Sequence, residues 1–397
     1  MFEDHLLRIM TINSGSSSIK FSLYQMSLAE ALILSGRIER IGVTPCFFYV
    51  KNADGLTLVE RQLDLLDHDS AFKMLFDWLQ KYTPDQNLDA VGHRVVHGGN
   101  QFRQPHLVTL DLIRILKDLF SVDPDHLPHE LKAIEVVNQL YPKLRQVVCF
   151  DTAFHRHMPK VAQLYAIPKY LRDEGIIRYG FHGLSYEFIM QELTKEAGAK
   201  VANGRIIIAH LGNGASMVAI HHTKGVDTTM GFSPTGGLVM STRSGDLDPG
   251  IILYLLQKKG LTPSQVNDMV NLKAGLLGVS GISSDMKDLL YKKEENPQAA
   301  EAVDLFCYQA RKFLGALTAV LGGLDTLIFT GGIGENAPSI RRQVCKGLGF
   351  LGIHIDPNRN DANASIISDK KSSITVRVMK TNEELMIARH AHKLLKK

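Results

Sequence analysis

Two stretches of the chain repeat one local plan, and that repetition constrains the fold more than any other feature. In R-I-M-T-I-N-S-G-S-S-S-I-K-F-S-L-Y (residues 8–24), β-forming runs at 9–12 and 19–24 flank a small polar turn, N-S-G-S-S-S, with Lys20 just beyond it. In R-I-I-I-A-H-L-G-N-G-A-S-M-V-A-I (205–220) the order is again strand, small glycine-bearing turn, strand. Such a turn is too polar to bury and too small to pack. Gly15 permits positive φ, successive backbone N–H groups can form an anion-binding concavity, and Lys20 adds a compact positive charge. An ordinary Ser/Gly hairpin has the same local look. Its recurrence points to two related half-molecules, each opening on a hairpin that can hold phosphate.

With 397 residues the chain can bury the cores of two or three domains. Lys and Arg number 45 against 41 Asp and Glu, a net charge of +4, too balanced to imply nucleic acid, and no dense basic run appears with interleaved aromatics. Cys46, Cys149, Cys307 and Cys345 stand far apart without a C-x-x-C, so they read as buried thiols of a reducing compartment. The start, M-F-E-D-H, is acidic and lacks the regions of a signal peptide, and the longest apolar stretch, 313–324, is too short to span a bilayer. A cytoplasmic protein is expected.

Candidate chemistry lies where polar residues interrupt apolar runs. Residues 69–82 put Phe72, Leu75, Phe76 and Leu79 on one helical face, with Asp69 as N-cap. A-V-G-H-R-V-V-H-G-G (90–99) reads as a buried strand running into a glycine pair. Arg94 breaks it between His93 and His97, either as an edge-strand ion pair or as a buried bidentate binder of carboxylate or phosphate. A helix at 110–120 and a V-D-P-D-H-L-P-H loop (122–129) lead through a further helix to Q-V-V-C-F-D-T-A-F-H, with Asp151 at the end of an apolar strand. Open α/β sheets bind ligands at strand carboxyl ends, so Asp151 is either a turn-former or a catalytic carboxylate. The first domain is expected to span 1–151 and the second 152–382. His182, in R-Y-G-F-H-G-L-S-Y (178–186), is structural or functional on local grounds alone.

After the second hairpin, D-T-T-M-G-F-S-P-T-G-G-L-V-M-S-T-R-S-G-D places Arg243 in a Gly/Ser-rich loop. G-I-S-S-D-M-K (281–287) can cap a helix at Ser283 or Ser284. Residues 298–324 read as a long helix with Val303, Phe306, Ala310, Phe313, Leu317 and Val320 along its seam. T-L-I-F-T-G-G-I-G-E-N-A-P-S-I-R-R follows as buried strand, glycine-rich turn and helix N-terminus, which brings a nucleotide near backbone N–H groups. Finally a V-R-V-M strand precedes T-N-E-E, where Glu383 and Glu384 either favour the helix dipole or bind a hard cation. No G-x-x-x-x-G-K-[ST], G-x-S-x-G or H-E-x-x-H motif occurs, and G-L-G-F-L-G (347–352) follows a helical pattern where a dinucleotide fingerprint follows a strand.

Taken in order, I-N-S-G-S-S-S-I-K (12–20), G-H-R-V-V-H-G-G (92–99), F-D-T-A-F-H (150–155), Y-G-F-H-G-L-S (179–185), H-L-G-N-G-A-S (210–216), S-T-R-S-G-D (241–246), F-T-G-G-I-G-E-N (329–336) and T-N-E-E-L (381–385) form a specific set. Across nearly the whole chain they resemble the acetate kinase family of carboxylate kinases, the acetate and propionate kinases. The resemblance implies an α/β fold of two duplicated ribonuclease H-like domains, of the actin/hexokinase ATPase type, around an ATP cleft. It implies a homodimer, and a C-terminal helix (about 383–397) that packs back on the first domain. The implied reaction is reversible, Mg²⁺-dependent, in-line transfer of the ATP γ-phosphoryl group to acetate, giving acetyl phosphate and ADP.

On this resemblance Arg94 and Arg243 match the family's essential arginines and would hold the carboxylate and the transition-state oxygens. His182 matches its transition-state histidine, and Asp151 its catalytic carboxylate, orienting an arginine or the metal shell. The nucleophile is already an anion, so no general base is needed. Asn13 and Glu383 match the residues associated with Mg²⁺, which Mn²⁺ can replace, partly through water. Lys20 and the turn His210, Leu211, Gly212, Asn213 and Gly214 would hold the ATP phosphates. Asp285, Met286 and Lys287, with Gly332, Ile333, Gly334, Glu335 and Asn336, match the adenosine-side segments. Val96, Phe181 and Pro234 would line the acyl pocket, with His126 also at the substrate.

Where the family carries A-P-L-H-N-P, this chain has D-P-D-H-L-P (123–128): His126 is kept, Asp125 replaces a pocket leucine and Leu127 an asparagine. A carboxylate beside the substrate carboxylate is unfavourable unless it turns away, pairs or is protonated. Leu184 and Tyr186 stand where Thr and His are common, and Val96 makes a small pocket that favours acetate over propionate. Another short-chain carboxylate kinase is the near alternative. A sugar kinase of the same superfamily could use Asp151 as base, but a neutral sugar does not call for two guanidinium groups. A chaperone-like nucleotide switch would need a peptide-binding domain for which no residues remain.

Overall fold

Two compact units divide the chain: Met1–Ala153 together with Asn382–Lys397, and Phe154–Thr381. The computed structural model describes residues 6–15, 17–64, 67–82, 88–120 and 122–396. The acidic start at 1–5, on which the signal-peptide reading rests, Ser16 of the expected first turn and Lys397, expected to end the C-terminal helix, lie outside the described residues.

The first unit contains β1 (Leu7–Ser14), β2 (Ser18–Met26), β3 (Glu30–Glu39), β4 (Cys46–Asn52), β5 (Thr57–Leu63), β6 (Ala90–Val95), β7 (His106–Leu107) and β8 (Arg145–Phe150). They form an eight-stranded sheet in the order β5-β4-β3-β2-β1-β6-β8-β7. β1 to β5 make an antiparallel meander, whereas β6 joins β1, and β8 joins β6, in parallel. Successive residues of β6 face opposite sides. Val91 joins Met10, Ile12, Phe72, Leu75, Phe76 and Val137 in one apolar cluster that includes helices His68–Tyr82 and Leu127–Leu140. Gly92 faces the other side, where a Cβ would come 2.5 Å from Ile387 Cγ2 of the C-terminal helix, Glu383–Leu395.

Glycine at 92 therefore lets that helix lie close against the sheet, and the helix carries Glu383 with it. Gly92→Ala is expected to lower the unfolding free energy by about 1–3 kcal/mol, the range for overpacking a tight contact. Chemical denaturation measures it, and Ile387→Ala in the Gly92→Ala background should recover part of the loss. Strictly additive losses would contradict the contact.

The second unit contains β9 (Ile206–Leu211), β10 (Ala215–His221), β11 (Lys224–Thr228), β12 (Thr326–Thr330) and β13 (Thr375–Val378), in the order β11-β10-β9-β12-β13. β9 to β11 are antiparallel, and β12 and β13 extend the sheet in parallel. This is the arrangement of β3-β2-β1-β6-β8: third, second, first, fourth and fifth strand, with the same directions. The likeness of the two hairpins is thus a likeness of whole sheets, and each unit is of the ribonuclease H-like, actin/hexokinase type.

Several local expectations shift. Asp67, not Asp69, accepts the Ser70 N–H at 2.8 Å at the start of helix His68–Tyr82. The 122–129 segment is not all loop: helix Leu127–Leu140 begins inside it with Pro128 in its first turn, where a missing N–H costs nothing. Asp285, in place of Ser283 or Ser284, caps helix Met286–Lys292 through the Lys287 N–H. The glycine-rich segment Gly331–Asn336 is itself helical and not a turn. Helix Pro297–Leu321 buries Val303, Phe306, Ala310, Leu314 and Leu317 but leaves Val320 exposed, because the buried stripe drifts to Leu314 and Thr318 at 3.6 residues per turn. No helix among the described residues is long and apolar enough to cross a membrane.

Candidate active site

Arg94 centres the first unit's polar set. Its Nε and Nη2 both donate to Asp151 Oδ2, at 3.1 and 2.6 Å, and its Nη1 donates to Asn13 Oδ1 at 3.2 Å. Strand register explains the convergence. Arg94 pairs with Cys149 on β8, two residues before Asp151, and Ile12 opposite His93 brings Asn13 alongside Arg94. Glu383, opening the C-terminal helix, lies 3.9 Å from Arg94 Nε. Asp151 is fully buried, and the Arg94 and Glu383 side chains are 16 and 17% exposed. Burial works against a charged Arg94, but the carboxyl groups facing it, Asp151 foremost, outweigh it and hold the guanidinium firmly protonated. Burial also pushes the Glu383 carboxyl up to about 7, reinforced by Asp151 and Glu384 and opposed by Arg94 and Lys20.

Asn13 Oδ1 and Glu383 offer oxygen donors of the kind a hard cation takes. Asp151 Oδ1 is buried beside them without a hydrogen-bond partner, as an oxygen awaiting a cation or its water would be. Among the described residues no group of three His, Cys, Asp or Glu side chains is poised to hold a metal by itself. Such a cation would complete its shell with water or a bound anion. Lys20, opposite Asn13 in the hairpin register, is exposed.

Val96 is buried just past β6, and its N–H donates to Glu130 Oε2 at 3.0 Å. Sequence reasoning missed Glu130. The available signal was its phase: Leu127, Glu130, Leu131 and Ile134 form one helical stripe, and all are buried. The neighbouring loop also corrects an expectation. Asp125, read as a pocket carboxylate, is exposed, and Asp123 is the buried one, bonded through Oδ1 to His126 Nδ1 at 2.8 Å.

In the second unit His182 precedes helix Gly183–Ala197 in a left-handed conformation, φ 58°. A non-glycine residue holds that conformation only when its surroundings impose it. Here Nδ1 is bonded to Ser216 Oγ at 2.8 Å, and the ring stacks on His210 with centroids 4.4 Å apart. The buried Tyr186 bonds the same Ser216 hydroxyl through its own OH. Ser216 was not singled out from sequence, although its place opposite His210 in the second hairpin is the signal that finds it.

Arg243 Nη1 donates to the Pro234 carbonyl at 2.8 Å. Gly214 lies against both key side chains, since a Cβ there would come 3.1 Å from His182 Nε2 and 3.7 Å from Arg243 Nη2. The Arg243 loop is tied to the hairpin turn by the Ser241 N–H donating to the Asn213 carbonyl at 3.0 Å. His182, His210, Asn213, Gly214 and Arg243 are thus one group. The β9–β12 register sets Thr330 beside His210, and Gly332 N falls 3.8 Å from a Cβ built on Gly212. Leu211 is buried beneath, and Ile333 and Gly334 continue the short helix.

Not every candidate points outward. Glu335 Oε1 accepts the N–H groups of Gly331 and Thr381, at 3.0 and 3.2 Å, so its carboxylate ties chain segments together. Asn336 Nδ2 donates to the Gly332 carbonyl at 2.9 Å. Asp285 is engaged as a helix cap, with Met286 buried and Lys287 exposed. Phe181 and Pro234 are buried. Chemically, the first set is a fixed guanidinium fork with oxygen donors. The second is an imidazole and a guanidinium beside a glycine turn, an arrangement that can stabilise oxyanions.

The sequence profile described as the Acetokinase family matches residues 8–389. The acetate kinase of Rhodopseudomonas palustris is 47% identical over 395 residues, spanning 97% of this chain and 98% of that protein. That of Clostridium acetobutylicum is 41% identical over 396 residues, spanning 96% and 98%. Among solved structures, Porphyromonas gingivalis acetate kinase aligns with a TM-score of 0.88 and 36% identity, covering 98% of this chain and 100% of that one. A propionate kinase from Francisella tularensis aligns at 0.91 and 35%, covering 97% and 99%.

Proposed function

The chain belongs to the acetokinase family, and on that premise we propose that it catalyses reversible transfer of the ATP γ-phosphoryl group to acetate, giving acetyl phosphate and ADP. The observation that carries this reading is the pinning of Arg94, with two nitrogens on the buried Asp151 and a third on Asn13. A fixed, planar cation suits a carboxylate nucleophile and has no use for a neutral hydroxyl. Acetate attacks as the anion it already is, so the protein's task is to position anions in line and to balance charge on the moving phosphoryl group.

Arg94 holds the acid's carboxylate, and Asp151 keeps Arg94 oriented. Arg243 and His182 meet the phosphoryl oxygens as charge shifts, with Ser216 and Tyr186 fixing the imidazole ring. Lys20 and the turn His210–Gly214 bind the ATP phosphates. Asp285–Lys287 and Gly332–Asn336 serve the adenosine side, the latter through backbone and helix, since Glu335 is engaged internally. Asn13 and Glu383 would hold Mg²⁺, or Mn²⁺ in its place, which would neutralise phosphate charge. Val96, Phe181 and Pro234 serve the acyl group, and His126 is a further substrate residue. Propionate is the second reading, and the small pocket expected around Val96 favours acetate. ADP release that depends on added acetate, with no release on hexose, tests the assignment; the reverse dependence would overturn it.

The protein acts as a homodimer. Helix Pro249–Gln257 is apolar yet has no buried residue, and Ile251, Leu253 and Tyr254 are 44, 53 and 53% exposed. An apolar helix face of this kind marks an interface, which a second copy of the chain covers. Leu253→Asp with Tyr254→Asp is expected to convert a dimer to a monomer in sedimentation velocity. A wild-type protein sedimenting as a monomer would contradict it.

A further inference from the structure

A buried carboxylic acid that no step above uses stands behind the Arg94 segment. Glu130 is 2% exposed, its Oε2 accepts the Val96 N–H at 3.0 Å, and its Oε1 is buried without a partner. Val96 lies one residue beyond the last rung of the β6–β8 ladder, Val95 with Phe150, where that ladder no longer supplies an acceptor. A buried N–H must find a partner, and Glu130 is that partner. The acid is itself held in place, because Leu127, Leu131 and Ile134 of its helix pack with Val95 and Phe150.

We propose that Glu130 is a positioning residue of the acid-binding half of the site, fixing the Val96 backbone and with it the segment that presents Arg94 and Val96 to the substrate. The inference rests on the carboxylate-kinase reading and adds to it the residue that sets how tightly the acid binds.

The surrounding charges fit this role. Asp123, bonded to His126 in the preceding loop, and Asp151 at the end of β8 disfavour a further buried anion at Glu130, while Arg94 of β6 favours one. Burial pushes Glu130 up to about 8, opposed by Arg94 and the Val96 N–H and reinforced by Asp123 and Asp151. At neutral pH it is therefore the uncharged acid and adds no repulsion toward an incoming carboxylate. Above about 8 it ionises, and the KM for acetate should rise.

Steady-state kinetics on the full-length protein tests this. Glu130→Ala removes the acceptor and is expected to raise the KM for acetate about tenfold, with the KM for ATP unchanged. Glu130→Asp, which draws the carboxyl back, should do the same and serves if the alanine variant does not fold. Glu130→Gln keeps an uncharged acceptor, so it should stay within about twofold of wild type and lose the alkaline rise. Ala and Asp variants with wild-type acetate KM would overturn the inference, as would equal rises in both KM values. A wild-type protein that makes acyl phosphate from no acid overturns the carboxylate-kinase reading and this inference with it. An active wild type with indifferent variants overturns this inference alone.

Discussion

Arg94→Ala is expected to lower kcat with acetate by about two to three orders of magnitude while the KM for ATP stays near wild type. In the proposed mechanism the guanidinium meets charge that develops on the acid and phosphoryl oxygens, so its removal should act on the transition state more than on nucleotide binding. The substitution also strands Asp151, which is 0% exposed and takes two of its hydrogen bonds from Arg94. Breaking a buried pair on one side costs about 3–5 kcal/mol of stability. Arg94→Lys separates the effects. It leaves a cation beside Asp151 but loses the planar fork, so the denaturation midpoint should partly recover while kcat stays low. Ordinary turnover in either variant would remove Arg94 from the mechanism.

Arg243→Ala is expected to cost a comparable two to three orders of magnitude in kcat, again with little change in the KM for ATP. Arg243 and His182 both border Gly214, which places their side chains on one small volume. Groups that act on the same oxygens behave as a unit, so their losses do not multiply. The double variant Arg243→Ala with His182→Ala should therefore be scarcely worse than the poorer single one. Multiplicative losses would show that the two residues serve separate steps.

The fold was legible where its determinants are local. The two hairpins announce themselves through short β-forming runs around glycine-bearing turns, and the strand orders built on them prove to match. Arg94 and Asp151 each stood out as polar residues breaking or ending apolar strands. That they share hydrogen bonds follows from parallel register, which no local pattern reveals. Where several small polar residues compete for one role, sequence did not decide among them. Asp67 and Asp69, or Ser283, Ser284 and Asp285, are nearly equivalent caps until the chain's entry angle is known. The Asp123–Asp125 exchange is of the same kind, since the phase of the turn before helix Leu127–Leu140 decides which carboxyl goes inward. Gly331–Asn336 is helical against its propensity because Glu335 reaches back to the Gly331 and Thr381 N–H groups, a tertiary effect.

The most direct test of the central claim, that this protein phosphorylates a small carboxylate, is hydroxamate formation with ATP and Mg²⁺ across acetate, propionate, butyrate and glycolate. Hydroxylamine traps only an acyl phosphate, so the assay reports the acceptor's chemistry as well as turnover. With Asp125 exposed and the proposed acyl pocket kept small by Val96, a clear maximum at acetate is predicted. No hydroxamate from any acid, with ADP still released on a hydroxyl acceptor, would contradict the claim.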